Sequence, residues 1–433
     1  MQFPDRPLSD LRAAPPLSRR ANRRGSGRCQ ARLLAWLVAS AGALAGCGGG
    51  TTSADEAAVA RPQSAATASR AADQAVAEVT GPGELKSATR IGLVRAIDIR
   101  AAVQAEDTLV AQVAPVYEVA SYRLTYLTSD GQGKPVVASG LISLPIKFPG
   151  ARSPVISYQH GTIFKDAQAP SNHAVASEPT LIMASLGYIV VAADYVGYGA
   201  SKGVQHPYLL AEPAAAAVVD LLTAARTWRQ RNGVTDNGQL YLLGYSEGGH
   251  ATAAAHRALQ AGNSVHKAQL VGSAPGAGPL HVTLTLDAAL TRVREANWLL
   301  GALIKPGFLS HLGSSVRNEV RRQMLNALIP DDADVSFQST FLDLYLADDS
   351  GGLDRQCNVH DWTPATPLRL FHGRADQTVP YVASRFALQT MQARGAGQVS
   401  LTDCPAAPSS HLGCVAPYFA FALGQLAGSA RDL

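Results

Sequence analysis

The hydrophobic positions of this chain fall into short, continuous apolar runs that are separated by longer stretches with helical periodicity. The runs lie at 155–158, 189–193, 240–243, 269–271 and 368–371. Two of the stretches between them, at about 211–231 and 248–259, predict helices that connect one strand to the next. Continuous apolar runs are typical of parallel strands that are covered on both faces. The pattern therefore predicts an α/β fold with a mostly parallel sheet flanked by helices.

A different pattern precedes these runs. Between residues 116 and 146 apolar and polar positions alternate, and the turn sequence Ser129-Asp130-Gly131 interrupts the alternation. Alternation on both sides of a short turn is the signature of a hairpin. We therefore predict an antiparallel pair of strands at the edge of the sheet.

The interval between the runs at 269–271 and 368–371 is about 95 residues long, far more than one crossover helix needs. Apolar residues recur in it at helical spacing, in three groups: Leu286, Leu290, Val293, Leu300 and Ile304; Val316, Val320, Met324 and Leu328; and Phe337, Phe341 and Leu344. We predict a helical cap over the carboxyl edge of the sheet at about 281–365. Helices that simply extend the core are the alternative, and periodicity does not separate the two.

The chain before this domain has a different composition. Residues 47–83 are rich in Ala, Ser, Thr and Gly and show little apolar pattern, which predicts a flexible tether. The folded domain is accordingly predicted at 84–433, without internal repeats.

The N-terminus has a basic segment through Arg32, an apolar run at 33–45, and then Leu44-Ala45-Gly46-Cys47. This sequence resembles the signal of bacterial lipoproteins, which implies that residues 1–46 are removed and that Cys47 carries a diacylglycerol. The expected location is the outer membrane or the periplasm, with membrane attachment through the lipid. An ordinary signal peptide with a chance cysteine, and hence secretion, is the alternative.

The charge pattern excludes one class of partner. Residues 1–46 hold eight arginines, which leaves 29 basic and 31 acidic side chains in the remainder of the chain. No basic stripe with interleaved aromatic residues follows residue 50, so we expect no nucleic-acid partner. No spacing typical of metal ligands and no glycine-rich phosphate loop is present, so neither a metal nor a cofactor is implied.

Export to an oxidising compartment gives the cysteines a structural meaning. After removal of the leader, three remain besides Cys47: Cys357, Cys404 and Cys414. Cys404 and Cys414 are close in sequence and flank His411, which makes a disulfide between them a candidate. Pairing of Cys357 with either of them, or three reduced thiols, are the alternatives.

The most specific motif is Gly-Tyr-Ser-Glu-Gly-Gly-His at 244–250, directly after a predicted strand and before an alanine-rich predicted helix. A serine becomes an exposed nucleophile when a sharp strand-to-helix turn lifts it out of the sheet. Such a turn needs small residues beside the serine, which Gly244 and Gly248 supply. The following helix directs its N-terminal N–H groups at any oxyanion that forms on a bound substrate. Ser246 is therefore the candidate nucleophile.

The order of motifs resembles the α/β-hydrolase superfamily, and the long insertion looks like the lid of secretory lipases similar to Candida antarctica lipase A. This resemblance covers roughly residues 115–430. It implies that the acid is Asp376, in a Gly-x-x-Asp-x-x-Val-Pro loop after a strand, and that the base is His411, in a loop before a terminal apolar segment. It also implies an α/β-hydrolase fold and an acyl-enzyme mechanism.

Competing residues exist for both roles. Asp354, Asp361 and Asp403 are alternatives for the acid, but none follows a convincing strand. His360 and His372 are alternatives for the base, and the position of His372 at a strand end favours a packed structural role.

The oxyanion in this superfamily is bound by two backbone N–H groups, one of which belongs to the residue after the nucleophile, here Glu247. The second donor is implied to lie in Tyr-Gln-His-Gly-Thr at 158–162, with Thr162 favoured and Gly161 behind it. His160 is alternatively a hydrogen-bonded scaffold residue.

These residues predict a serine hydrolase that cleaves carboxylic esters, as an esterase or a lipase, with a small-molecule or lipid ester as its substrate. The same catalytic groups would also serve a peptidase or amidase. A non-catalytic surface lipoprotein that kept the fold is the third hypothesis, and covalent labelling of Ser246 would exclude it.

Overall fold

The computed structural model describes residues 79–105, 114–296 and 305–433. Its sheet has nine strands among these residues, in the spatial order β1-β2-β3-β5-β4-β6-β7-β8-β9. The strands are β1 Leu85–Val94, β2 Val119–Ser129, β3 Pro135–Pro145, β4 Ser153–Gln159, β5 Ile189–Ala193, β6 Asp236–Tyr245, β7 Leu270–Gly276, β8 Leu368–His372 and β9 Val399–Asp403. The six neighbouring strands β5, β4, β6, β7, β8 and β9 are parallel. The remaining pairs, β1 with β2, β2 with β3 and β3 with β5, are antiparallel. The predicted α/β fold is confirmed.

Helices cover both faces of this sheet. They are α1 Ala96–Ala105, α2 Pro179–Ser185, α3 Ala211–Arg231, α4 Glu247–Ala261, α5 Val265–Gln269, α6 Val282–Ala296, α7 Ser314–Leu328, α8 Thr340–Leu346, α9 Ser350–Gln356, α10 Tyr381–Ala393 and α11 Val415–Ala427. The crossover helices expected at 211–231 and 248–259 correspond to α3 and α4.

The continuous apolar character of the parallel strands follows from burial on both sides. In β6, Leu242 belongs to a cluster with Leu221 of α3, while its neighbour Leu243 belongs to a cluster with Tyr418 of α11. Successive side chains of a strand point to opposite faces, so both faces need apolar residues. Burying each such leucine contributes about 2 kcal/mol.

The edge of the sheet differs from the prediction. The hairpin expected within 116–146 is present as β2 and β3, but β1 pairs with β2 and occupies the edge itself. Most residues of β1 are exposed on both faces, so the strand has no apolar pattern that would predict it. β9 was likewise not predicted.

The helices within 281–365 share an apolar cluster, which also includes Leu209 and Leu210 from the segment before α3. Its members include Leu286 and Leu290 of α6, Met324 of α7, and Phe341 of α8. Near the end of the segment, Val359 instead packs with residues of the sheet. The predicted positions Leu300 and Ile304 lie outside the described residues.

The predicted signal peptide, Cys47 and the tether up to residue 78 also lie outside the described residues. The last part of the predicted tether is described, and the N–H of Gly83 donates to the carbonyl of Leu127 at 2.8 Å. None of the helices in the described ranges is long and apolar enough to cross a membrane.

Candidate active site

Ser246 lies on a sharp turn between β6 and α4. Its backbone angles are φ 60° and ψ −124°, a conformation that residues with a side chain rarely adopt. The turn is held by a 2.9 Å hydrogen bond from the N–H of Ser246 to the carbonyl of Gly276 on β7. The strand before it and the helix after it are those that the motif predicted.

The glycines beside Ser246 are required by close backbone contacts. A Cβ atom at Gly244 or Gly248 would overlap backbone atoms, of Gly248 in the first case and of Gln159 in the second. A Cβ at Gly249 would lie 2.5 Å from the carbonyl oxygen of Gly276. These glycines therefore permit α4 to pack directly on the sheet beside the serine.

Ser246, His411 and Asp376 form a continuous chain of hydrogen bonds. The Oγ of Ser246 is 2.9 Å from Nε2 of His411, and Nδ1 of His411 is 2.6 Å from Oδ2 of Asp376. Because a carboxylate only accepts, Nδ1 carries the hydrogen and Nε2 is free to accept the serine proton. His411 and Asp376 are 8% and 5% exposed, which shields their interaction from water.

The surroundings of Asp376 keep it ionised. Its Oδ1 accepts hydrogen bonds from the N–H groups of Thr378 and Val379 at 2.8 and 2.9 Å. Burial alone would raise the pKa of this carboxyl, but hydrogen bonds from His372 and His411 outweigh burial and lower the pKa to about 2. A carboxylate at neutral pH is the form that orients an imidazole.

His372 is a second histidine on Asp376, a contact that was not predicted from the sequence. Its Nε2 lies 3.2 Å from Oδ2 of Asp376 and 3.0 Å from the carbonyl of Val379. Both neighbours are acceptors, so Nε2 carries a hydrogen, while Nδ1 is 2.7 Å from the hydroxyl of Ser384. The sequence signal was its spacing of four residues from Asp376, at the end of β8.

The loop that carries His411 is fixed at both ends. The predicted disulfide joins Cys404 to Cys414, and Cys357 is a free, buried cysteine. Between the two cysteines, the carbonyl of His411 accepts a 2.7 Å hydrogen bond from the hydroxyl of Tyr245, the residue before the candidate nucleophile. His411 is thus bonded to the serine turn through its backbone carbonyl as well as through its imidazole ring.

The competing residues have other partners. Asp354 accepts a hydrogen bond from Asn358, Asp361 forms an ion pair with Arg394, and Asp403 accepts hydrogen bonds from Arg374 and Tyr381. His360 stacks on His281 with ring centroids 4.3 Å apart.

The loop after β4 approaches the serine as expected. A Cβ atom at Gly161 would lie 3.3 Å from the carbonyl oxygen of Tyr245 and 3.6 Å from Cβ of Ser246. The hydroxyl of Thr162 is 3.2 Å from that of Tyr208. His160 is buried, and its ring nitrogens lie near the carbonyls of Gly161 and Asp194, as in the scaffold alternative.

In the ranges that the structure describes, no group of three or more His, Cys, Asp or Glu side chains is arranged to hold a metal ion.

The model of the secretory lipase family matches residues 167–304 of this chain. The predicted resemblance to the secretory lipases is confirmed. The matched segment contains Ser246 and ends before Asp376 and His411. Comparison with curated proteins finds no match.

Solved structures share the fold. The rice cell wall degrading esterase LipA from Xanthomonas oryzae is 24% identical, with a TM-score of 0.63 over 81% of this chain and 100% of that one. A protein from Legionella pneumophila is 22% identical, with a TM-score of 0.64 over 79% of this chain and 97% of that one. Candida antarctica lipase A is 18% identical over 77% and 78%, and its TM-score is 0.49. The chain has the α/β-hydrolase fold.

Proposed function

We propose that this protein hydrolyses carboxylic esters through an acyl-enzyme on Ser246. The observation that carries the proposal is the chain of hydrogen bonds from Ser246 through His411 to Asp376, at 2.9 and 2.6 Å. The strained turn at Ser246 and the match to the secretory lipases support it.

In this mechanism the Oγ of Ser246 attacks the ester carbonyl carbon while its proton moves to Nε2 of His411. Collapse of the tetrahedral intermediate breaks the bond to the alcohol oxygen, which takes the proton from His411. Water then attacks the acyl-enzyme, His411 accepts its proton, and the acid product leaves as Ser246 regains a proton. Asp376 stabilises the imidazolium in each half and remains ionised.

The oxyanion of each tetrahedral intermediate would be bound by backbone N–H groups. The N–H of Glu247 begins α4, where the helix dipole favours negative charge. The closeness of Gly161 to Ser246 supports Gly161 or Thr162 as the second donor. One such donor typically contributes about 3–4 kcal/mol to stabilisation of the transition state.

The choice of an ester over an amide rests on the similarity to the secretory lipases, since the three catalytic side chains serve both reactions. We infer further that the substrate is an acyl ester. A peptidase or amidase remains the second candidate, on the same side chains.

Hydrolysis of a p-nitrophenyl ester series from acetyl to palmitoyl tests the proposal, with Ser246→Ala as control. We expect activity that disappears in Ser246→Ala and a chain-length optimum that separates esterase from lipase. Absence of activity on every ester, together with labelling of Ser246 by a fluorophosphonate, would favour amide substrates. Absence of labelling as well would favour a non-catalytic protein.

We propose in addition that the protein is exported and lipidated on Cys47. The lipoprotein-like signal supports this, and the similarity to secretory lipases supports export. Fractionation of cells that express the protein with its own leader tests the anchor. We expect the wild type in the membrane fraction and Cys47→Ser in the soluble fraction; a soluble wild type would contradict lipidation.

A further inference from the structure

The side chain of Glu247, the residue after Ser246, is buried against His206. Glu247 is 5% exposed, and its Oε1 lies 2.7 Å from Nε2 of His206. Burial alone would raise the pKa of this carboxyl, but His206 above all, together with His160 and a hydrogen bond from Thr162, outweighs burial and holds the pKa below its ordinary value. The residue whose N–H is the proposed oxyanion donor thus has its side chain in a buried hydrogen bond to His206.

The second ring nitrogen of His206, Nδ1, also has a hydrogen-bond partner. Nδ1 is 2.9 Å from the carbonyl oxygen of Val196, and a carbonyl only accepts, so Nδ1 carries a hydrogen. Nε2 lies 2.7 Å from Oε1 of Glu247, so a hydrogen bond joins the imidazole to the carboxyl group. The imidazole is therefore fixed by two hydrogen bonds, one to the protein backbone and one to Glu247.

The backbone of His206 pairs with the segment 336–338, between α7 and α8. The N–H of His206 donates to the carbonyl of Ser336 at 2.7 Å, and the N–H of Gln338 donates to the carbonyl of His206 at 2.8 Å. The ring of Phe337 packs edge-on against the imidazole, with centroids 5.5 Å apart. The backbone of His206 is consequently bonded to segment 336–338, within the predicted cap. Its side chain is bonded to Glu247, in the serine turn.

Stability does not explain this arrangement. The other groups around the pair are His160, Thr162, Tyr195, Tyr198, Tyr208 and His250. Burial lowers the pKa of His160 and of His250, which disfavours a further positive charge beside the carboxyl of Glu247. Desolvation of a buried ion pair commonly cancels its Coulomb attraction, and apolar residues of equal volume stabilise as well. Apolar residues at 206 and 247 would keep the backbone bonds to segment 336–338 but would lack the directional side-chain bond that joins this segment to the serine turn.

We propose that Glu247 and His206 are positioning residues that hold the N–H of residue 247 in line for the oxyanion and fix segment 336–338 against the serine turn. The inference rests on the proposed function, because the oxyanion exists only if Ser246 attacks a substrate. Neither side chain touches the reacting atoms in this role. The loss of the pair should lower kcat more than it changes KM, since the oxyanion forms only in the transition state.

Two variants of Glu247 separate the hydrogen bond from side-chain volume. Glu247→Gln keeps the length and donates an amide hydrogen to Nε2 of a neutral His206, whereas Glu247→Met keeps the volume and makes no bond. Removal of one oxyanion donor lowers kcat by about 10²–10³. In Glu247→Met the N–H of residue 247 is displaced but still present, so we expect kcat to fall by about tenfold. Glu247→Gln should recover most of that loss, and KM should change little in both.

His256→Gln provides the matched control. His256 is buried on the same helix, and its nitrogens lie 2.7 Å from the hydroxyls of Ser273 and Thr366, away from the serine turn. Rates are normalised to active sites titrated with a fluorophosphonate, so that loss of folded protein is removed from kcat. Amide hydrogen exchange at Gln338 reports the backbone link to His206, and we expect faster exchange in Glu247→Met than in His256→Gln.

The outcomes are distinguishable from failure of the proposed function. An inactive, unlabelled wild type would refute ester hydrolysis itself. With an active wild type, a normalised kcat in Glu247→Met equal to that of His256→Gln would overturn the positioning role. Equal loss in Glu247→Gln and Glu247→Met would also overturn it, because the hydrogen bond would then be irrelevant. A lowered kcat with unchanged exchange at Gln338 would refute the link to segment 336–338.

Discussion

His372 and His411 both approach the same carboxylate oxygen of Asp376, at 3.2 Å through Nε2 and at 2.6 Å through Nδ1. His411 gains and loses a proton in the proposed reaction, whereas His372 takes no part in it and is fixed by Ser384 and the carbonyl of Val379. A fixed donor limits rotation of the carboxylate. It therefore holds the acceptor in place for His411.

Replacing His372 should leave the carboxylate of Asp376 less firmly oriented. His372→Leu removes one hydrogen bond that lowers the pKa of Asp376, so we expect that pKa to rise towards the ordinary value of an aspartate, about 3.9. A carboxyl with a depressed pKa stabilises the folded state above the unfolded pKa, and the contribution disappears as pH falls through the folded pKa. In the wild type this loss lies between about pH 4 and pH 2, and it amounts to about 2 kcal/mol.

In His372→Leu the pH-dependent contribution should be smaller and should disappear at a higher pH. Urea unfolding at a series of pH values from 2 to 7 measures it. Asp376→Asn, which has no ionisation at this position, is the control. An unchanged pH dependence in His372→Leu would show that His372 does not act on the carboxylate.

Asp376→Asn should also lower kcat on esters by about 10⁴, because an amide facing Nδ1 favours the wrong tautomer of the imidazole. Its melting temperature, measured in parallel, shows whether the fold is retained. Asp403→Asn, which changes a competing carboxyl at the end of β9, should keep most of the activity. The opposite order of losses would assign the acid role to Asp403.

The parallel strands were predictable because their signal is local. A strand buried on both faces must be apolar throughout, as Leu242 and Leu243 illustrate, and the turn at Ser246 needs glycines within two residues. β1 was not predictable, since an exposed edge strand such as Leu85–Val94 is held mainly by backbone hydrogen bonds.

Contacts between distant residues account for what else was missed. Glu247 and His206 are 41 residues apart, and nothing in either local sequence indicates that they meet. His372 was interpreted as a packed residue from its strand-end position, which was correct for its burial but omitted its bond to Asp376. The lipid anchor at Cys47 stays a prediction.

The disulfide provides a further test, because it closes the loop that holds His411. Opening a ring this short should cost about 2–3 kcal/mol of stability. In the Cys404→Ala/Cys414→Ala variant we expect a lower melting temperature and a lower kcat, as the imidazole loses its fixed position beside Ser246. Activity assays with and without dithiothreitol measure the same effect in the wild type.

The double variant is its own control for the reductant. Dithiothreitol should slow the wild type and leave the double variant unaffected, since Cys357 is a buried thiol that is already reduced. Full activity of the double variant would show that the bond to Tyr245 alone is enough to hold the loop.

Two glycine-to-alanine substitutions in helices should have opposite effects on stability. At Gly248 a Cβ atom would overlap the backbone of Gln159 and His160, and backbone atoms of a packed strand do not move aside easily. Gly424 lies within α11, and a Cβ there meets nothing within 4 Å. In an open helical position alanine is favoured over glycine by up to about 1 kcal/mol.

We therefore expect Gly424→Ala to raise the melting temperature with normal activity, and Gly248→Ala to lower the melting temperature and to abolish ester hydrolysis. Thermal melts of both proteins with a p-nitrophenyl ester assay measure this, and a stable, active Gly248→Ala would mean that α4 does not pack on the β4 loop as closely as described.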